Sequence, residues 1–166
     1  GVLFPWPALW GMANVAEDLG VEINTFTRVT DIERQGKEIV KVITDRGSIA
    51  TNRVVNAAGA WSVQIGKMLG VELPNKPYRH EILVCEPVKP FLDPMVSDLS
   101  DGTYFSQTMR GEILGGISDP DEPSSMETKA SFRFVNRMCA SMVRLMPELS
   151  HVRVMRQWAG YYDETP

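Results

Sequence analysis

Apolar residues recur at three- and four-residue spacing in two stretches of this chain and alternate in several others. In residues 5–19, Leu9, Met12, Ala13, Ala16 and Leu19 fall on one stripe, which predicts a helix. Pro5 and Pro7 suit its first turn, and Gly20 follows the last periodic residue as a stop. In residues 131–146, Phe132, Val135, Cys139, Met142 and Met146 repeat in the same way, and Pro147 ends the run. Between these helices the pattern is of short strands at 21–25, 28–34 (apolar at Val29 and Ile32) and 38–44, with turns at Gln35-Gly36-Lys37 and Asp45-Arg46-Gly47. Residues 48–56 read as a return strand, and 62–69 as a helix burying Ile65, Met68 and Leu69.

From about Leu73 the punctuation changes. Pro74, Pro77, Pro87, Pro90 and Pro94 interrupt the chain. Residues 80–86 read as a strand, 102–107 and 112–117 as a hairpin around Met109-Arg110-Gly111, 118–125 as a polar loop and 152–161 as a last strand. Strands backed by one long helix predict an α+β fold with an antiparallel sheet in the second half. The change of character divides the chain into residues 1–72 and 73–166.

Composition narrows the function classes. Hydrophobic residues make up 43% of the 166, ordinary for a folded core, and the net charge of −4 offers no basic face for nucleic acid. No apolar run has the length of a membrane span. Two histidines, His80 and His151, exclude a multi-histidine metal site, and no metal site is expected. Cys85 and Cys139 read as thiols of a reducing compartment rather than a disulfide framework. The acidic residues 119–122 lack calcium-loop spacing and read as a solvated loop.

The most informative stretch is 54–62, Val-Val-Asn-Ala-Ala-Gly-Ala-Trp-Ser. Small side chains at Ala57, Ala58, Gly59 and Ala60 let another group approach the main chain. A strand end, a small-residue turn and a helix start make a usual place for an anion or nucleotide, with an ordinary tight turn as the alternative. The run from Arg53 to Pro87, RVVNAAGAWSVQIGKMLGVELPNKPYRHEILVCEP, resembles the FAD-dependent oxidoreductases of the D-amino-acid oxidase superfamily, in particular the sarcosine oxidase β-subunit and dimethylglycine dehydrogenase branch. DGTYFSQTMRGEILGG (101–116) and LMPELSHVRVMRQWAGYYDETP (145–166) continue the likeness in the same order. The Gly-x-Gly-x-x-Gly turn that opens such proteins does not occur in the sequence. The resemblance therefore implies the middle of a longer flavoenzyme, with residues 1–72 part of an FAD-binding domain and 73–166 a substrate-binding antiparallel sheet.

The resemblance also implies where chemistry sits. Ala57, Ala58, Gly59, Ala60 and Trp61 would lie against FAD, with Trp61 alternatively a core aromatic at a helix start. Val29, in the Thr27-Arg28-Val29 segment, would meet the adenine through its backbone or be a plain strand valine. Tyr104, Phe105 and Trp158 would wall the substrate. Tyr104 and Phe105 are neighbours on a strand, so only one of them faces a cavity; Tyr162 is an alternative wall. Some members carry a tyrosine where Phe105 stands and a histidine near Ile117, so no catalytic residue is transferred. Gly160 stands near a cysteine that tethers flavin in some relatives, so covalent attachment there is not implied. Arg79 has the fork to hold a carboxylate but more commonly ties loops together, and His80 more commonly has a plain hydrogen-bond partner. The implied function is oxidation of a C–N bond in a small secondary or tertiary amino acid by the longer protein, in the cytoplasm or the mitochondrial matrix, with other oxidase subunits as partners. The piece alone would be inactive and would not keep FAD. The alternatives are a non-catalytic binding or subunit-interaction module of the same fold, and another flavin dehydrogenase of the glycerol-3-phosphate or proline kind.

Overall fold

The computed structural model describes Leu3 and residues 5–166. Its contacts divide the chain into two compact units, Gly1–Ala58 with Ser62–Leu73, and Gly59–Trp61 with Pro74–Pro166. Helices and antiparallel sheets make it α+β.

In the first unit, helix α1 (Pro5–Asp18) forms where the periodicity places it, and Gly20 follows in the left-handed region, φ +89°. The stripe expected to be buried is not: α1 has no buried residue, and Trp6, Leu9, Trp10 and Met12 are all more than half exposed. Residues 21–25 form no strand, because they find no pairing partner among the described residues. A three-stranded antiparallel sheet follows in the order β1 (Val29–Gln35), β2 (Glu38–Thr44), β3 (Gly47–Ala50). The odd spacing of Val29 and Ile32 has a cause: the register slips between Val29 and Asp31, so a bulge lets both turn inward. The return strand stops at Ala50. Residues 52–58 run without a ladder, and Val55 is 91% exposed. Helix α2 (Ser62–Met68) is one short stretch of two turns.

The second unit is a five-stranded antiparallel sheet in the order β5 (Val96–Asp98), β6 (Thr103–Gln107), β7 (Glu112–Gly116), β4 (Lys76–Pro87), β8 (Val154–Glu164). The spacing gives no β5, leaves β4 short at both ends (predicted 80–86), and starts β8 (predicted 152–161) two residues early and ends it three residues short. Helix α3 (Phe132–Leu145) covers one face. Ser131 caps it, its hydroxyl accepting from Phe134 N–H at 3.1 Å, and Pro147 opens a 3₁₀ turn just beyond. The buried stripe of α3 is Phe134, Met138, Ser141 and Met142, rotated from the predicted one, so Phe132 is exposed. With Leu83, Cys85, Phe105, Ile113, Ile117 and Leu149, the apolar members Phe134, Met138 and Met142 make the core.

The loop between β7 and α3 is bonded rather than merely solvated. Asp119 meets Arg133 and Arg137 at 3.2 and 3.1 Å, and Glu122 takes a forked pair of hydrogen bonds from Arg79 at 2.9 Å each. Arg79 also donates to Lys129 O, so it ties β4 to this loop. Cys85 is buried and Cys139 half-buried, both free thiols.

Candidate functional site

Side chains alternate across the five-stranded sheet, and pairing sorts them into two faces. Glu81, Leu83, Phe105, Ile113 and Gln157 turn toward α3. His80 pairs with Gly160, Ile82 with both Trp158 and Gly116, Tyr78 with Tyr162, and Tyr104 with Gly116. These turn to the opposite, open face, where Tyr104 and His80 are half-buried and Trp158 and Tyr162 are exposed.

The open face has one tight cluster. His80 Nε2 lies 3.0 Å from the Tyr104 hydroxyl, with the two rings stacked at 9° and centroids 5.8 Å apart. The Tyr162 ring sits 4.7 Å from the imidazole. Gly116 makes the cluster possible: a Cβ there would stand 2.8 Å from His80 Nε2 and 3.0 Å from the Tyr104 hydroxyl oxygen. Burial pushes the Tyr104 phenol up to about 12, Tyr162 adding to the effect, so it remains an uncharged hydroxyl. Burial also lowers the His80 imidazole below its ordinary value, against a smaller opposing pull from Glu81.

Beneath this cluster, on the α3 side, Glu81 anchors the sheet. It accepts from Ser131 N–H at 2.7 Å, Ser131 Oγ at 2.5 Å and Gln157 Nε2 at 2.7 Å, which joins β4, β8 and the α3 cap. An open depression of about 340 Å³ on the α3 side is lined by Asp101, Ile117, Arg137, Ala140, Ser141 and Arg144. Its charges are already paired, Arg144 with Asp98 and Asp101, and Arg137 with Asp119.

Of the residues the sequence singled out, Tyr104 and Trp158 share the open face. Phe105 does not: it is wholly buried in the core under α3 and walls nothing. Strand alternation and its register partner Gly115, facing α3, account for that correction. Val29 is the half-buried first residue of β1. Ala57 is exposed and Ala58 half-buried, its N–H bonded to Asn56 Oδ1. Gly59 has φ +51°, and a Cβ there would meet nothing within 4 Å. Ala60 is buried, and Trp61 is about half exposed with its ring edge-on to Tyr161 at 5.2 Å. The hydrogen-bond partner expected of His80 is Tyr104. Gly116 was missed; the Gly115-Gly116 pair inside a strand was its signal. Among the described residues no His, Cys, Asp and Glu cluster suits a metal, and no helix is long and apolar enough to cross a membrane.

Comparison with known proteins agrees with this architecture. The chain is 32% identical over 154 residues to sarcosine oxidase subunit beta of Rhizobium meliloti, covering 93% of this chain and 37% of that protein. It is 33% identical over 158 residues to glycine oxidase of Pseudomonas aeruginosa, covering 93% of this chain and 41% of that one. Among solved structures it superposes on L-proline dehydrogenase from P. horikoshii with a TM-score of 0.90 and 31% identity, over 98% of this chain and 44% of that one. It thus spans well under half the length of these relatives. Residues 1–166 match the DAO family, described as FAD dependent oxidoreductase, and the chain belongs to that family.

Proposed function

We propose that this chain is the substrate-facing part of a flavoenzyme that oxidises the C–N bond of a small secondary or tertiary amino acid of the sarcosine or dimethylglycine kind. The observation that carries this reading is the open sheet face, where Tyr104, His80, Tyr162 and Trp158 stand on one side of a sheet whose other side is sealed by α3. Sarcosine and proline, named in two of the relatives, are both secondary amines, which supports the substrate class.

The chemistry supplied by bound FAD is acceptance of a hydride equivalent from the carbon beside nitrogen, leaving an imine. The chain's own part is to bind and orient. Trp158 and Tyr162 offer apolar walls that exclude water, and Tyr104 offers one hydroxyl at a fixed place. The main chain at Gly59 suits the close approach of a cofactor, because nothing stands within 4 Å of its absent Cβ. Ala57, Ala58, Ala60 and Trp61 would flank that approach, and the Val29 backbone would serve the adenine. Taken alone, the 166 residues are not expected to keep FAD, since no Gly-x-Gly-x-x-Gly turn is among them. The free thiols favour a reducing compartment, and the relative's name as a subunit favours partner subunits.

The test is anaerobic mixing of the flavin-loaded protein that carries this chain with sarcosine, dimethylglycine, L-proline and glycine. Bleaching of the flavin absorbance is expected with the first three, more slowly with glycine. No bleaching with any of them would overturn the reading.

A further inference from the structure

The pair on the open face has a directional property. A phenol carries one hydrogen. When Tyr104 donates it to His80 Nε2, only lone pairs remain to meet a ligand; when Nε2–H donates to Tyr104, the phenol hydrogen turns outward. The 3.0 Å separation and the stacked rings leave no room for the two groups to avoid each other, and Gly116 is what lets them meet.

We propose that His80 is a positioning residue whose neutral imidazole accepts the Tyr104 hydroxyl hydrogen bond, so that Tyr104 turns a lone pair outward and selects ligands presenting an N–H over ligands presenting an acceptor at the same place. This rests on the amine-oxidation reading and adds the polarity of the contact. It also makes that polarity switchable, because one proton on His80 reverses it.

The surroundings of His80 suit such a switch. Glu81, next on β4, turns to the α3 side and is occupied by Ser131 and Gln157. Arg79 turns the same way onto Glu122. β7 and β8 bring the side-chain-free Gly116 and Gly160 beside it. The titratable neighbours on its own face are the phenols Tyr104 on β6 and Tyr162 on β8, both adjacent to the ring. Burial holds the imidazole below its ordinary value, so the neutral form prevails at neutral pH, and its Nδ1–H tautomer is the one that accepts at Nε2 and leaves the lone pair outward. A protein acceptor left facing a ligand acceptor discriminates strongly, since neither is satisfied.

The experiment uses the flavin-loaded protein carrying this chain and two ligands of one shape. Sarcosine presents an N–H; methoxyacetate presents an ether oxygen in its place. Neither changes charge between pH 5 and 8. Methoxyacetate binding is read by calorimetry and sarcosine by kcat/KM, across that range. As pH falls through the His80 titration, methoxyacetate is expected to tighten by about tenfold, while kcat/KM for sarcosine falls by a similar factor beyond the fall caused by the substrate ammonium having to lose its own proton. The methoxyacetate dependence and the extra fall for sarcosine should vanish in His80→Gln. They should vanish equally in Tyr104→Phe, which removes a single hydroxyl and keeps the test open if the histidine variant does not fold. Methoxyacetate affinity that ignores pH, or a pH dependence of that affinity that survives both substitutions, overturns the inference while leaving sarcosine oxidation standing. Absence of flavin bleaching with sarcosine, dimethylglycine, L-proline and glycine at every pH overturns the amine reading and the inference with it.

Discussion

Replacing Glu81 should cost more stability than any other single polar change on the sheet. The carboxylate is 6% exposed and accepts three hydrogen bonds, two from Ser131 and one from Gln157, none longer than 2.7 Å. Arg79 adds a longer contact at 3.9 Å. A hydrogen bond to a charged group contributes about 1.5–3 kcal/mol, but these three share partners and do not add. Ser131 Oγ, for instance, donates to Glu81 while accepting from Phe134 N–H as the α3 cap. Breaking a buried charged cluster by removing one member costs roughly 3–5 kcal/mol, so Glu81→Leu is expected to lose about that much. Glu81→Gln keeps the size and one acceptor oxygen but turns an NH₂ against donors, and should lose about 2 kcal/mol. The assay is urea unfolding of the protein carrying this chain, with amide hydrogen exchange at Phe134 as the local reading. Glu81→Leu should speed exchange there, because the cap loses the group that orients it. A cost below about 1 kcal/mol, with exchange at Phe134 unchanged, would refute the idea that this carboxylate seats α3 on the sheet.

Other outcomes follow from individual sites. Burial pushes the Cys85 thiol up to about 11, so at pH 8 only about a thousandth is thiolate; a disulfide-exchange reagent should leave it untouched in the native protein and label it in urea. Asp98 is held down at about 2, first by the Ser100 hydroxyl and then by Arg144, so Ser100→Ala should raise its carbon-detected titration more than Arg144→Met does. Because that value is depressed, the associated stability is present above the ordinary carboxylate range and is lost as pH falls through about 2; an Asp98 contribution that instead grows with acid would contradict the assignment. Gly115→Ala would place a Cβ 2.1 Å from Tyr104 O and should prevent the β6–β7 pairing, whereas Gly36→Ala, at φ +65° with no atom near, should cost only about 1 kcal/mol in thermal unfolding.

What was legible in the sequence was local. The run 131–146 matches α3 within a residue at each end, and Pro147 stops it because a missing N–H acts on its immediate neighbours. The turn at Gln35-Gly36-Lys37 fixes the β1–β2 hairpin for the same reason. What failed was whatever a distant partner decides. Residues 21–25 and the 51–56 part of the expected return strand read as strand, yet a strand exists only where another lies beside it. The apolar stripe of α1 is equally real in the sequence, and no element among the described residues covers it. The rotation of α3's buried stripe from Phe132 to Phe134 depends on where Leu83 and Ile113 stand, which spacing along the helix does not encode.

The candidate site shows this division in two adjacent residues. Alternation dictates that Tyr104 and Phe105 face opposite ways, but not which way. The choice lies in β7, where Gly115 pairs with Phe105 on the α3 side and Gly116 pairs with Tyr104 on the open side. A Cβ on Gly115 would come within 2.6 Å of the Phe105 Cβ; one on Gly116 would reach both His80 and Tyr104. Two consecutive glycines in a strand weaken it and bury nothing of their own, so their presence signals crowding from both faces at once. The same dipeptide therefore seals Phe105 into the core and leaves the single opening in which an imidazole and a phenol can touch. Substituting the first glycine would attack the fold, and substituting the second would attack the site, although the two stand side by side in the chain.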